Sequence, residues 1–194
     1  MGNHFDDRSV SNPASNRAFS EILEARLSRR QVLKASIAVA VDGEILDLMT
    51  PMRKSGAFQV LTDKDPRALG VLRHSGAHIL ATAVRRLRPE AKIGFGPAID
   101  DGFYYDFEVD KPFTPEDLEA FEAEMAKVVA EKYPFVRAEV TQEEARKVFA
   151  DDPLKLERLD DFSDPNEVTS THTHAPFEDL CRGPHVPDTS YLKH

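Results

Sequence analysis

Residues 65–89 read DPRALGVLRHSGAHILATAVRRLRP, and the periodicity of this stretch decides the architecture around it. Asp65 followed by Pro66 is a helix start, with the carboxylate as cap and the proline where a missing N–H costs nothing. Pro89 sets the end near Leu87. Leu69, Leu72, Gly76, Ile79, Leu80, Ala83 and Leu87 form the expected core stripe. Two residues of separation turn a helix by roughly 200°. His74 and His78 therefore point away from Leu72 and Leu80, on a side shared with Val71, Ser75, Thr82 and Arg85. Residues four apart stack on one face, so the two imidazoles are presented to one point in space. A mixed face of this kind suits the floor of a pocket.

Outward from the helix, the pattern is α+β. Upstream, Ile37-Ala-Val-Ala-Val41, Asp42-Gly43 and Glu44-Ile-Leu-Asp-Leu48 signal a hairpin, because Asp-Gly is favoured where a two-residue turn needs positive φ. Residues 58–62 add a strand, residues 19–27 have helical spacing, and residues 1–17 form a polar lead expected to be disordered. Downstream, Phe103, Tyr105, Phe107 and Val109 alternate with polar neighbours, as in a half-buried strand; Tyr104, on the opposite face, can reach a pocket. Thr114-Pro-Glu-Asp117 is a capping box opening a helix with Leu118, Phe121, Met125, Val128 and Val129 inward. Residues 135–140 read as a strand, Thr141 and Glu144 cap a short helix, and residues 154–159 and 168–174 read as strands. A Gly/Pro loop with Cys181-x-x-x-His185 follows.

Composition narrows the function classes. The 194 residues are 41% hydrophobic and 30% charged, as expected of one large or two small globular domains. The single cysteine excludes an internal disulfide and suits a reducing compartment. With 25 Lys+Arg against 34 Asp+Glu, the net charge of −9 disfavours non-specific phosphate binding. A nucleic-acid partner would need a local basic patch; Arg85, Arg86, Arg88 and Lys92 are candidates, and a solvated helix end is the bland alternative. Residues 28–34 imitate a twin-arginine export motif, but the apolar run after them stops at Asp42-Gly43. No stretch approaches transmembrane length, so the expected location is the cytoplasm, with no membrane partner.

His74, His78, Cys181 and His185 are chemistry-bearing residues a hundred positions apart. If the fold joins them, they can move protons, activate water or hold a metal. The segments RHSGAHILATAVRRLRPEAKIGFGPAIDDGFYYDFE and FEDLCRGPHVPDTSYLKH closely resemble the editing domain of threonyl-tRNA synthetases. AVAVDGEILDLMTP resembles the small β-grasp TGS domain that precedes it. The alanyl-tRNA synthetase editing domains share the His-x-x-x-His and Cys-x-x-x-His framework, but GFYYDF and DLCRGPHVP match the threonyl branch. The resemblance implies a TGS-like module over 18–64, with a degenerate start, and an editing domain over 65–194 that stops short of its usual end.

The implied reaction is hydrolysis of the ester of seryl-tRNA(Thr). Serine is one methyl smaller than threonine, and a site built for the larger residue excludes the smaller one by only about 1–3 kcal/mol. By resemblance His74, Lys155 and His185 are catalytic, with a water placed by Lys155 and His74. His78, Tyr104, Asp179 and Cys181 bind the substrate, and Arg85, Arg86 and Arg88 meet tRNA. The expected cofactor is none; zinc on His74, His78, Cys181 and His185 is the alternative. The expected partner is the acceptor end of tRNA(Thr) carrying serine, with a separate synthetase core as a further one. No class II ATP site is recognisable, so aminoacylation by this chain alone is not expected. A freestanding trans-editing deacylase and an inactive RNA- or protein-binding remnant are the other readings.

Overall fold

The computed structural model describes residues 36–53, 55–162, 164 and 169–192. The expected lead, the helix over 19–27 and the twin-arginine stretch lie outside the described residues. β1 (Ser36–Val41), β2 (Glu44–Leu46) and β3 (Phe58–Thr62) form an antiparallel sheet in the order β2-β1-β3. The hairpin turns at Asp42 (φ 50°) and Gly43 (φ 89°), the paired positive angles that Asp-Gly supplies at low cost. β1 is buried on both faces, which explains its unbroken apolar run. One face packs Ile37, Ala38 and Ala40 with Leu61, Val71, Phe135 and Val186. The other packs Val39 and Val41 with Leu48.

The long helix α1 (Ala68–Leu87) follows. The start expected at Asp65-Pro66 needs correction: the residue ahead of the helix is Arg67, with no side-chain cap, and the Asp65 carboxylate accepts from the Arg67 amide (3.0 Å) within the preceding turn. The expected core stripe needs correction: Leu69 and Leu87 are 46% and 41% exposed. Gly76, Ile79 and Ala83 of that stripe are buried as expected, and the side carrying Val71, Ser75, His78 and Thr82 is covered as well, because other elements pack over it. Ala77 and Ala81, with small side chains, let Ile93, Tyr105 and Phe177 approach closely.

β4 (Lys92–Ile93) pairs with β7 (Phe107–Glu108), and β5 (Ala98–Ile99) with β6 (Gly102–Phe103). The strand expected over Phe103–Val109 is thus split, although its in-and-out alternation survives, with Tyr105 inside and Tyr104 outside. At the break the Gly94 amide donates to the Asp106 carbonyl (2.8 Å) and the Asp106 amide to the Phe95 carbonyl (2.9 Å). A Cβ on Gly96 would lie 2.1 Å from the Tyr105 ring, so only glycine admits this crossing. α2 (Pro115–Glu131) starts at the predicted Thr114–Asp117 capping box and buries Phe121 and Val128. Leu118, expected inside, is 59% exposed.

β8 (Val136–Val140), β9 (Thr169–His174) and β10 (Phe177–Leu180) form a second antiparallel sheet in the order β10-β9-β8. Between β8 and β9 lie α3 (Gln142–Val148) and α4 (Pro153–Asp160). The expected strand over 154–159 is therefore a helix. Pro153 sits at its first turn and the Asp152 carboxylate accepts from the Lys155 amide (3.3 Å). Lys155 and Leu159, four apart, turn inward together.

The cluster of Ile37, Leu61, Val71, Phe135 and Val186 is one core drawn from the first sheet, α1 and the segments beside β8 and β10. Leu61→Ala, at a fully buried site, should cost about 2–5 kcal/mol. In urea, circular dichroism and tyrosine fluorescence should report one shared transition at a lower midpoint. A first sheet that melts separately would contradict a common core.

Candidate active site

His74 and His78 project from the covered side of α1, and the 181–185 loop after β10 lies across them. Cys181 Sγ is 3.3 Å from His74 Nε2 and 3.2 Å from His185 Nε2. The His185 ring stands 4.2 Å, centroid to centroid, from both His74 and His78. Four residues separated by a hundred positions thus supply donor atoms within 4.8 Å of one another.

The hydrogen-bond network assigns tautomers. His74 Nδ1 faces the Pro184 carbonyl (3.3 Å), an acceptor, so Nδ1 carries the proton. Ser75 Oγ donates to the Val71 carbonyl (2.9 Å) and accepts from the Val186 amide (3.1 Å). Its remaining lone pair faces His185 Nδ1 (3.1 Å), so that nitrogen also carries the proton. The Nε2 lone pairs of both rings consequently point at the Cys181 sulfur. One S–H can satisfy only one of them.

A second polar knot lies alongside. Asp179, 2% exposed, accepts the Tyr105 hydroxyl and pairs with the Lys155 ammonium. His78 Nε2 is 3.5 Å from the same carboxylate. Lys155 also donates to the Gly94 carbonyl, and its charge lies 4.3 Å from the Phe95 ring centre. Burial, then the neighbouring carboxylate, keeps the Tyr105 hydroxyl protonated by raising its pKa well above 10.

These groups border a cavity of about 720 Å³. His74, His78, Tyr104, Asp179 and Cys181 are on its wall, with the Gly94–Pro97 turn and one side of α4 around the mouth. Lys155 and His185 lie behind that wall, each 1% exposed. Burial is the main reason the histidines are neutral: it lowers His74 to about 4, and His78 and His185 well below their ordinary value. It raises the Cys181 thiol to about 12. The cluster thus consists of neutral imidazoles around a protonated thiol.

The basic patch is largely internally paired. Arg86 binds Glu124 (3.0 Å) and Glu131 (2.6 Å), Arg88 binds Glu90 (2.7 Å) and Asp117 (3.3 Å), and Lys92 pairs with Glu108. Arg85 is exposed. Sequence reasoning placed Ser75 on the histidine side without giving it a role, read Tyr105 only for its place in an alternating strand, and passed over Asp47. His172 and His174 are also buried beside the cluster, with His174 Nε2 2.7 Å from Thr82 Oγ1 and His172 within hydrogen-bonding distance of Asp47 and of the Cys181 carbonyl.

The donor set fits a metal by type: neutral imidazoles and one sulfur, with two lone pairs converging on it. The spacing fits less closely. Tetrahedral zinc would separate sulfur from nitrogen by roughly 3.6 Å, and the shorter contacts observed are those of a thiol hydrogen-bonded to imidazole. Among the described residues, no helix is long and apolar enough to cross a membrane.

An α+β protein with a histidine–thiol cavity of this kind is related by sequence to the aminoacyl-tRNA synthetases. The relatives are threonine–tRNA ligases. The chain is 47% identical over 165 residues to that of Symbiobacterium thermophilum, covering 84% of this chain and 25% of the relative. It is 45% identical over 162 residues to that of Pelobacter propionicus (82% and 25%) and 45% over 175 residues to that of Desulforamulus reducens (89% and 27%). The chain therefore spans about a quarter of the length of the curated relatives it matches, and at these identities it is homologous to that segment. No family model matches the chain.

The buried histidines carry a pH consequence. His74 and His174 sit at about 4, against 6.5 for an exposed imidazole. Between those values the unfolded chain binds protons that the folded chain refuses. Stability is full above pH 6.5 and drains as pH falls toward 4, by about 3 kcal/mol per group. Urea midpoints should drop steeply from pH 7 to pH 4.5; equal midpoints across that window would contradict neutral buried rings.

Proposed function

We propose that this chain is the editing part of a threonyl-tRNA synthetase, hydrolysing the ester of mischarged seryl-tRNA(Thr) in the cytoplasm. On this reading residues 18–64 are a TGS-like module and residues 65–194 the editing domain. The observation that carries it is the meeting of His74, His78, Cys181 and Asp179 on one cavity wall, in a chain homologous to threonine–tRNA ligases. A cavity of about 720 Å³ is of the size that takes a small molecule, here the terminal nucleotide with its amino acid.

The reaction needs a water molecule, an oriented ester and a route for one proton. His74, neutral because burial lowers it to about 4, offers an acceptor nitrogen at the cavity wall and orients the water rather than storing its proton. The water oxygen bonds to the ester carbon, the bond to the ribose oxygen breaks, and the water's proton ends on that oxygen. Serine and uncharged tRNA leave. Asp179, charged and fixed by Tyr105 and Lys155, binds the α-ammonium of the amino acid. Lys155 and His185, behind the wall, hold Asp179 and Cys181 in position. Tyr104, 46% exposed at the mouth, bounds the amino-acid space. Cys181 is not the nucleophile, since its pKa of about 12 keeps it a thiol and no step needs a covalent intermediate. Arg85 is the exposed cation on α1 available to the tRNA backbone, with Arg86 and Arg88 contributing on exchange of their carboxylate partners.

The two converging Nε2 lone pairs favour zinc as a second reading. His74, His78, Cys181 and His185 would hold it, and bound zinc would lower the pKa of a water.

Seryl- and threonyl-tRNA(Thr) incubated with the protein should lose serine at least about tenfold faster than threonine. His74→Ala should slow serine release by about 10²- to 10⁴-fold without unfolding. Chelation should leave the rate unchanged. Spontaneous rates with both substrates would overturn hydrolysis; chelator loss reversed by zinc would assign the four donors to metal.

A further inference from the structure

Asp47 stands at the end of the β2 hairpin arm, in the first sheet rather than among the elements that line the cavity. Its carboxylate is only 4% exposed. One oxygen, Oδ1, is committed to its own turn, accepting from the Met49 amide (2.9 Å) and the Thr50 hydroxyl (3.0 Å). Oδ2 reaches across to His172 Nε2 on β9 (3.2 Å). The other nitrogen of that ring, Nδ1, faces the Cys181 carbonyl (3.2 Å), which also accepts from Ser170 Oγ (2.6 Å). The sulfur of the same Cys181 touches His74 and His185. His172 is further enclosed by the His185 ring, 4.6 Å away between centroids.

The loop is fitted to this pair. Gly183 has φ +74°, and a Cβ there would meet His172 Cε1 at 3.0 Å and Asp47 Oδ2 at 3.1 Å. The 181–185 backbone therefore presses directly against the Asp47–His172 contact. A second bridge, from Arg53 in the segment between β2 and β3 to Glu139 on β8, ties that segment to the second sheet.

We propose that Asp47 is a positioning residue of the hydrolytic site: through His172 it fixes the backbone at Cys181 and thereby the sulfur and the two imidazoles that meet there. The N-terminal sheet is on this account a working part of the active site. This inference rests on the hydrolytic reading above, and it extends that reading to a residue more than a hundred positions from the loop it controls.

Asp47→Ser separates reach from local capping. The serine hydroxyl can still accept from the Met49 amide but cannot span to His172. Asp47→Asn keeps the turn contacts and offers His172 an amide hydrogen. His172→Gln removes the relay from the other side. Displacement of reacting groups by an ångström costs on the order of 10²-fold. D47S should therefore lower kcat for seryl-tRNA(Thr) about 10- to 100-fold with KM within about threefold, because Asp47 touches no substrate. D47N should recover most of the loss. H172Q should match D47S, and the double variant should be no slower than either, since both act through one route.

A readout independent of activity uses the only cysteine in the sequence, Cys181. Well below the melting temperature, N-ethylmaleimide should modify it several-fold faster in D47S and H172Q than in wild type or D47N, reporting a loosened loop. If wild type fails to deacylate, the hydrolytic reading falls while the alkylation rates still decide the linkage. Wild-type kcat and alkylation rate in D47S, or losses that multiply in the double variant, would overturn the proposal.

Discussion

The site depends on a cost that burial imposes: a charge taken out of water must be paired, or it dismantles the fold around it. Asp179 meets that cost in one place. It is 2% exposed, and its two oxygens engage the Lys155 ammonium and the Tyr105 hydroxyl, with His78 close by. Lys155 is itself 1% exposed, so neither charge can exist there without the other. This pairing brings α4 to β10, and Tyr105 to both. The cavity is the space left between the elements so gathered.

His74, His78, His174 and His185 obey the same rule by the opposite route. Burial lowers them so that they stay neutral, and His74 and His185 are fixed by hydrogen bonds that neutral imidazole allows. Ser75 is a small example of how much one hydroxyl can organise: it caps the Val71 carbonyl, receives the Val186 amide and fixes the His185 ring. A neutral cluster can lie against an apolar core, and Phe135 stacks on His185 at 4.7 Å. Chemistry and packing occupy the same few ångströms, which makes the site rigid and acid-sensitive together.

Much of this was legible in the sequence where local chemistry decides the outcome. The Asp42-Gly43 turn, the caps at Thr114 and Thr141 and the one-sided display of His74 and His78 all rest on short-range rules, and the structure contains them. Residues 154–159 misled because Leu-Lys-Leu alternates as a strand would; the Asp152-Pro153 helix start just ahead was the stronger signal. Leu69, Leu87 and Leu118 looked internal because spacing reports a face without saying what covers it. Only the family resemblance singled out Lys155 and Asp179. Their burial is a property of the pair, and no local pattern encodes a partner on another element. Asp47 was invisible for the same reason, since it read as one polar position of the hairpin strand over 44–48.

The account stands on neutral rings whose lone pairs face the Cys181 sulfur, and nitrogen-15 NMR of the histidine side chains reads that state directly. At pH 7, and still at pH 5, His74 and His185 should show the neutral tautomer protonated on Nδ1. Imidazolium shifts, or the Nε2-protonated tautomer for these two rings, would contradict it.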